Sequence, residues 1–291
     1  MINHYHIGCP IWRNKDWKGT LFTRESKSND FLKQYAMALN TVEGNSTFYS
    51  LPSDAMVWRW KNETPADFRF SFKFPRKISH RHQLINVEEE TTRFFKVLEA
   101  LEDQLGVLFL QLPPSFDRAG LAHLEKYLQS LPEGFRYAVE VRHLDFFDEG
   151  EIEKSFHELL LRLQVNRVLF DTTTLHQLDT TETSVLEAQR KKPKVPERFV
   201  VTGKHPFVRF VGSNQIEPNL PRLTYIATLV AQWIDQGLDP YLFMHSPDDY
   251  VPPQLCRTFH QLLSNHVKEK DIGTMPNWPG ETVTKEQLNL F

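Results

Sequence analysis

The sequence predicts an α/β protein built as a single (β/α)8 TIM-like barrel, with a long connection between the sixth and seventh strands and an extended C-terminal tail. Eight short, mostly apolar runs recur along the 291 residues, and each ends in a polar residue or a turn. Segments of helical length, with apolar residues at three- and four-residue steps, separate these runs. Strict alternation of strand and helix favours parallel strands joined by crossovers.

Each predicted element has its own signal. The pair Asn29-Asp30 suits the cap of the first helical segment, and the acidic stretch 88–90 suits a helix N-terminus, where negative charge is favourable. The predicted strands are 6–9, 41–43, 70–73, 107–111, 137–140, 168–171, 207–210 and 241–245. The predicted helices cover 31–39, 53–62, 88–105, 117–130, 150–164, 221–236 and 253–266. A doubly wound open sheet is the alternative, but the glycine-rich phosphate loop that usually follows its first strand is missing.

Composition and charge limit the class of protein. A hydrophobic content of 40% is enough for one large core, and a net charge of −3 argues against a general nucleic-acid coat while allowing a local basic site. Cys9 and Cys256 have neither metal-binding nor redox spacing, which favours a reduced, cytoplasmic protein. No signal peptide and no apolar run of membrane-spanning length is visible, so we expect no membrane partner.

Two segments depart from the regular pattern. About 35 residues separate the sixth and seventh strands, including the basic stretch 190–196, and a connection this long predicts a loop or subdomain over the barrel mouth. After the last predicted helix the chain becomes a tail with a proline-bearing spacer at 276–280. We therefore expect a barrel domain over 1–266 and a tail over 267–291.

The strand ends predict a polar site. The C-terminal ends of the strands form the functional face of this fold. Because side chains alternate along a strand, Lys73 would face the barrel axis while Phe72 and Phe74 face the helices. The same argument gathers one rim of polar residues: Glu43, Asn45, Lys73, Gln111, Glu140, Arg142, Asp171, Arg209 and His245.

These residue types suggest roles. Glu140 or Asp171 would act as a base or metal ligand, and Glu43 and His245 complete the catalytic candidates. The anion-binding candidates are Lys73, Arg142 and Arg209, with Asn45, Gln111 and His80 orienting the ligand.

Two basic loops surround this rim. After the third strand come Arg76, Lys77, His80, Arg81 and His82; after the sixth come Arg190, Lys191, Lys192, Lys194 and Arg198. We expect a small anionic ligand or nucleic acid to bind there. Two alternatives stay open: the rim charges form an ion-pair network that only holds the barrel together, and the loop lysines are simply solvated.

A divalent metal suits Glu43, Glu140, Asp171 and His245 by ligand type. It is not favoured, because no HxH, HxxxH or CxxC spacing occurs and the seventh strand offers Arg209 instead of a ligand. No cofactor is otherwise indicated.

Several blocks carry a family resemblance. They are Gly-Cys-Pro-Ile-Trp at 8–12, Val-Glu-Gly-Asn-Ser-Thr-Phe-Tyr at 42–49, Phe-Lys-Phe-Pro at 72–75, Leu-Gln-Leu-Pro-Pro at 110–114 and Val-Glu-Val-Arg-His at 139–143. Over nearly its whole length the chain resembles the YecE-like family, domain of unknown function 72. The resemblance implies a TIM-like barrel but no settled reaction. Trp12, in the first block, joins the predicted ligand contacts.

A role on DNA follows only by analogy. Barrels of this family resemble the xylose-isomerase and endonuclease IV group, but similarity of fold alone is weak evidence for a shared function. This chain also lacks the histidine and carboxylate set that a trinuclear zinc nuclease needs.

The chain ends in Gln-Leu-Asn-Leu-Phe at 287–291, which resembles the bacterial sliding-clamp-binding motif. Gln287, Leu288, Leu290 and Phe291 would then contact the clamp, with Asn289 replacing the usual Ser or Asp. The alternative is that the tail packs on its own barrel.

Two functions follow from these observations. The first is an enzyme-like barrel, hydrolase or isomerase in type, that acts on phosphoesters or carbohydrates at an anion-binding mouth. The second is a non-catalytic, DNA-associated module recruited to the sliding clamp through its tail.

Overall fold

The computed structural model describes residues 1–281, in which parallel β-strands alternate with helices. The strands are β1 (His6–Gly8), β2 (Thr41–Gly44), β3 (Arg69–Phe72), β4 (Val107–Gln111), β5 (Arg136–Glu140), β6 (Asn166–Asp171), β7 (Phe207–Val211) and β8 (Tyr241–His245). All eight predicted runs are therefore strands.

The α-helices are α1 (Phe31–Ala38), α2 (Ser46–Tyr49), α3 (Asp54–Glu63), α4 (Glu88–Leu98), α5 (Leu121–Ser130), α6 (Glu151–Leu163), α7 (Thr173–Gln177), α8 (Thr183–Lys191), α9 (Leu220–Asp235) and α10 (Pro252–Ser264). The helix predicted from the acidic opening at 88–90 through Leu105 begins at Glu88 and ends earlier than predicted, at Leu98. A 3-10 segment, Glu99–Gln104, follows it, and Glu102 there has a φ of 43° that an α-helix does not allow.

Local chemistry sets several helix ends. The Ser53 side chain accepts a hydrogen bond from the Met56 amide and caps α3. Proline occupies the first turn of α10, where its missing N–H costs no helical hydrogen bond. Gln164 ends α6 in the left-handed conformation, with a φ of 55°.

The strands divide into two parallel sheets. Six form one curled half-barrel sheet in the order β1-β8-β7-β6-β5-β4, and β2 pairs with β3. Isolated hydrogen bonds join the two sheets: the Glu43 amide donates to Cys9 O at 3.0 Å, and the Gly106 amide donates to Phe70 O at 2.9 Å. The close approach of β1 to β2 requires glycine, because a Cβ at Gly8 would lie 2.0 Å from Thr41 O. The fold is thus α/β. Its strands form one six-stranded and one two-stranded sheet, whereas the sequence predicted a single continuous sheet.

Apolar side chains fill both faces of the large sheet. Its inner face carries a phenylalanine cluster in which the Phe207 ring lies 5.2 Å from Phe109 and 4.9 Å from Phe243, between centroids. Its outer face carries Leu110, Phe210 and Met244, which belong to the main apolar cluster. In the two-stranded sheet, Phe72 of β3 stacks on Trp60 of α3 at 5.6 Å. Burying each such ring contributes roughly 1.5–3 kcal/mol, so these layers hold the strand ends in place.

The connection between β6 and β7 covers the inner cluster. Leu175 of α7 and Val185 and Ala188 of α8 pack against the same apolar residues as Phe207. The long connection therefore forms two helices over the C-terminal ends of the strands, which brings its basic residues close to them.

The segment after α10 packs back on the body. Ile272 and Trp278 are buried, and the Arg257 guanidinium lies 3.5 Å from the Trp278 ring centroid while pairing with Glu281. The predicted spacer at 276–280 is part of this packed segment. The predicted clamp-binding residues lie outside the described residues. Between residues 1 and 281, no helix is both long and apolar enough to cross a membrane.

Candidate functional site

A buried arginine lies between two buried glutamates at the C-terminal ends of the strands. Arg209 of β7 donates from Nε and Nη2 to the two carboxylate oxygens of Glu43 on β2, each at 2.7 Å. Its Nη1 donates to Glu140 Oε2 on β5 at 2.5 Å. All three side chains are almost completely excluded from solvent. Paired, charge-assisted hydrogen bonds of this kind are what make three buried charges tolerable.

Further donors complete the bonding of Glu43. Asn45 Nδ2 donates to Glu43 Oε1 at 2.7 Å, and His245 Nε2 lies 3.2 Å from Glu43 Oε2. Burial lowers the pKa of His245 to about 4, so the ring is neutral near pH 7. A neutral ring must carry its proton on Nε2 to donate this bond.

Glu140 is held in a similar way. Gln111 Nε2 and Arg142 Nε each donate to Glu140 Oε1 at 2.7 Å. Burial alone would raise the pKa of Glu140, but attraction by Arg209 and Arg142 outweighs it and lowers the pKa to about 2. The pKa of Glu43 is likewise lowered, because Arg209 and His245 overcome the effect of burial. Both carboxylates therefore stay ionised at neutral pH.

Lys73 extends this network toward solvent. Its Nζ donates to Gln111 Oε1 at 2.7 Å and lies 3.8 Å from the centroid of the Phe48 ring. Burial, together with repulsion by Arg209, lowers the pKa of Lys73 to about 7. Lys73 is thus a buried ammonium that gains or loses its proton near physiological pH.

Two loop residues bring further charge to the site. Lys192 follows α8, and Asp249 lies in the loop after β8, where the Asp249 carbonyl accepts hydrogen bonds from Asn14 Nδ2 and Trp17 Nε1. Burial lowers the pKa of Lys192 to about 8 and raises that of Asp249 to about 6. Neither charged group has an ion-pair or hydrogen-bond partner among residues 1–281.

These groups surround one cleft of about 590 Å³. Six cationic side chains and a single carboxylate, that of Asp249, line it. The cations are Lys73, Arg76, Arg142, Lys191, Lys192 and Arg209. A larger cavity of about 780 Å³ lies between α4 and α5, but its charged residues are all exposed and none converge. The cleft is therefore the stronger candidate for a site.

Most predicted site residues meet here. The cleft is lined by Asn45, Lys73, His80, Gln111, Arg142, Arg209 and His245, and Glu43 and Glu140 lie beneath it. His80 contributes a ring whose Nδ1 lies 2.9 Å from Ser79 Oγ, and burial lowers its pKa to about 4.

Two predicted residues lie elsewhere. The Phe170 side chain points to the inner face of β6, so that of its neighbour Asp171 points outward. There Asp171 accepts hydrogen bonds from Arg222 Nε of α9 at 2.5 Å and from the Thr173 amide at 2.9 Å. Trp12 is buried against Trp60, with ring centroids 5.3 Å apart, in the helix layer. Neither side chain lines the cleft.

Sequence reasoning missed Asp249 and Phe48. Phe48 follows the predicted rim residue Asn45 by three positions, and Asp249 follows His245 by four. The only signal for Asp249 was its place in the loop after the eighth strand, which belongs to the functional face of such folds.

The carboxylates leave little room for a cation at the centre. In the part of the chain that the structure describes, no three His, Cys, Asp or Glu side chains converge in a metal-binding arrangement. The guanidinium of Arg209 occupies the space between Glu43 and Glu140.

Comparison with known proteins identifies the family. Residues 6–280 match the sequence profile described as "Protein of unknown function DUF72". The chain is 38% identical over 286 residues to the UPF0759 protein YecE of Escherichia coli strain K12, covering 98% of this chain and 99% of that protein, and equally so to YecE of strain O157:H7.

Solved structures show the same fold. A DUF72 family protein from Thermotoga maritima MSB8 superposes with a TM-score of 0.68 at 23% identity, over 89% of this chain and 99% of that one. A DUF72 family protein from Enterococcus faecalis V583 gives 0.67 at 18% identity, over 94% and 99%. The chain belongs to the DUF72 family.

Proposed function

We propose that the cleft binds the phosphate group of a small ligand. The observation that carries this proposal is an excess of cations. Arg209 and Arg142 are balanced by Glu43 and Glu140, to which they donate hydrogen bonds. Of the remaining cations of the cleft, Lys191 pairs with Glu187 at 2.8 Å, whereas Lys73, Arg76 and Lys192 face only the carboxylate of Asp249.

The size of the cleft favours a small molecule. Ligand sites of a few hundred cubic ångströms hold molecules of the size of a sugar phosphate or a mononucleotide. A nucleic-acid duplex would instead need an exposed basic stripe, and the chain as a whole carries a net charge of −3.

The same proposal includes a closed (β/α)8 barrel. Hydrogen bonds from Glu43 to Cys9 and from Gly106 to Phe70 support it, as does the ion pair of Arg209 with Glu43 across the two sheets. The cleft would then be the barrel mouth, where ligands bind in such folds.

Turnover of the ligand would use Asp249. A general acid or base works best with a pKa near the operating pH, and that of Asp249 is about 6. Glu140, with a pKa of about 2 and three hydrogen bonds, is a weak base, and Asp171 lies outside the cleft. Hydrolase-like or isomerase-like chemistry would therefore move its proton at Asp249.

Calorimetric titration tests the binding. Inorganic phosphate and pyrophosphate, added to the whole protein at pH 6.5 and low salt, should bind the wild type, and Lys73→Met should weaken binding at least about tenfold. Lys154→Met, which removes an exposed lysine, is the matched control and should bind normally. Equal binding by the two variants, or no binding by the wild type, would overturn the proposal.

The C-terminal pentapeptide supports a second proposal, docking on a bacterial sliding clamp in the cytoplasm. Its support is the sequence Gln-Leu-Asn-Leu-Phe at 287–291. The full chain should bind purified clamp, and a chain lacking these residues should not. Binding that survives the deletion would end this proposal, and salt-sensitive binding to DNA without turnover would favour a DNA-associated module.

A further inference from the structure

A second cavity adjoins the cleft. Its volume is about 530 Å³, and it shares with the cleft Lys191, Lys192, His245 and Asp249. A ligand whose phosphate lies among the lysines of the cleft can therefore extend past Lys192 and Asp249 into this space.

The second cavity is lined by short polar side chains. The first two residues of α8, Thr183 and Ser184, lie on one side with Glu187, and Ser246 comes from the loop after β8. Ser184 Oγ donates to Glu182 Oε1 at 2.8 Å and accepts from Asn214 Nδ2 at 2.9 Å, and these bonds position the start of α8. Thr183 is exposed and lines the cavity, so its hydroxyl is available to a ligand.

The lining matches hydroxyl groups better than a nucleobase. A sugar hydroxyl both donates and accepts, so it can bond Asp249 or Glu187 as acceptors and Lys192 as a donor. A base needs a flat apolar or aromatic surface on which to stack. The apolar residues of this cavity are only Ala188, Val211 and Pro247, and its one aromatic ring is that of His245, which is polar and bonds Glu43.

We propose that the second cavity is a subsite for the polyhydroxylated part of the ligand, so that the site takes a sugar phosphate. This inference rests on the proposed phosphate site. It assigns the phosphate to the lysines of the cleft and the hydroxyl groups to the residues at the start of α8. Lys192 and Asp249 stand at the junction, beside the bonds that link the two parts of the ligand.

Calorimetry with four probes tests the assignment: inorganic phosphate, ribose 5-phosphate, glucose 6-phosphate and thymidine 5′-monophosphate. At least one of the two sugar phosphates should bind wild type at least about tenfold more tightly than inorganic phosphate. Thr183→Trp, which fills the second cavity, should remove that advantage and leave inorganic phosphate binding unchanged. Thr228→Trp on α9, remote from both cavities, is the control and should keep the advantage.

The outcomes separate the two proposals. Equal affinity for inorganic phosphate and both sugar phosphates overturns the subsite but leaves the phosphate site standing. A sugar-phosphate advantage that survives Thr183→Trp also overturns the subsite. Tighter binding of thymidine 5′-monophosphate than of either sugar phosphate replaces the sugar assignment by a nucleotide. No binding of any probe overturns the phosphate site itself.

Discussion

The guanidinium of Arg209 binds both carboxylate oxygens of Glu43, and the two residues come from strands of different sheets. The bonds are 2.7 Å each, and they join β7 of the six-stranded sheet to β2 of the pair. Because Arg209 also binds Glu140 of β5, one side chain ties three strands together beneath the cleft. The same contact organises the site and stabilises the fold.

Removing Arg209 should therefore destabilise the protein strongly. Arg209→Met leaves two buried carboxylates without their main partner, which costs about 3–5 kcal/mol. Urea unfolding followed by circular dichroism measures the loss. Arg162→Met breaks an exposed pair with Glu125 and should cost less than about 1 kcal/mol. A loss for Arg209→Met as small as the control would show that the buried pairing adds no stability.

The low pKa of Glu140 predicts acid sensitivity. Its folded pKa of about 2 lies below the ordinary glutamate pKa of 4.5, so the ionised form contributes stability that is present above pH 4.5 and lost as the pH falls toward 2. That contribution is about 3 kcal/mol. The gap in unfolding free energy between wild type and Glu140→Gln should narrow across this range. Glu158→Gln, which breaks an exposed pair within a helix, is the control and should leave the unfolding free energy unchanged across this pH range. A difference between wild type and Glu140→Gln that stays constant with pH would contradict the lowered pKa of Glu140.

Anion affinity should fall as the pH rises through 7 to 8. Lys73 and Lys192 have pKa values of about 7 and about 8, and only their protonated forms attract an anion. Sulfate is a suitable probe because its charge is constant here, and its affinity should drop roughly tenfold between pH 6 and 9. The double variant Lys73→Arg, Lys192→Arg should keep most of its affinity, because arginine stays charged. An equally steep drop in that variant would assign the effect to other groups.

Neutralising Asp249 should strengthen anion binding. Near pH 7.5 its carboxylate is ionised, since its pKa is about 6, and it repels an anion in the cleft. Asp249→Asn should tighten sulfate binding about threefold at this pH and change it little at pH 5, where the wild-type carboxyl is already protonated. Asp67→Asn, an exposed residue just before β3, is the control. Weaker binding by Asp249→Asn at both pH values would show that the residue holds the ligand rather than repelling it.

Strand alternation placed most of the rim correctly, and it was wrong about Asp171 for a physical reason. In β3 the phenylalanines face the helices, so the phase of the pattern is clear and Lys73 falls on the cleft side. The run 166–171 is buried on both faces. The sequence of such a strand does not alternate between apolar and polar residues, so it does not show which side chains face the barrel axis. Only packing reveals that Phe170 points inward and Asp171 toward α9.

The positions of the loop residues Asp249 and Lys192 could not be predicted from the sequence for another reason. Asp249 is positioned by hydrogen bonds from Asn14 and Trp17, more than 230 positions earlier in the chain. Lys192 reaches the cleft because Val185 and Ala188 of α8 pack on the inner apolar cluster. Both placements depend on contacts between distant segments, which no local pattern encodes.

The order of strands and helices, the polar strand ends and the family can be predicted from the sequence alone, because they follow from local periodicity and from residue blocks. Which charged side chains are paired and which are unpaired is set by the packing of distant segments. Glu43 and Glu140 are neutralised by Arg209 and Arg142, while Lys192 and Asp249 face the cleft without an ion-pair partner among the described residues. The pKa of a charged group depends on its burial and its neighbours, and folding alone sets both.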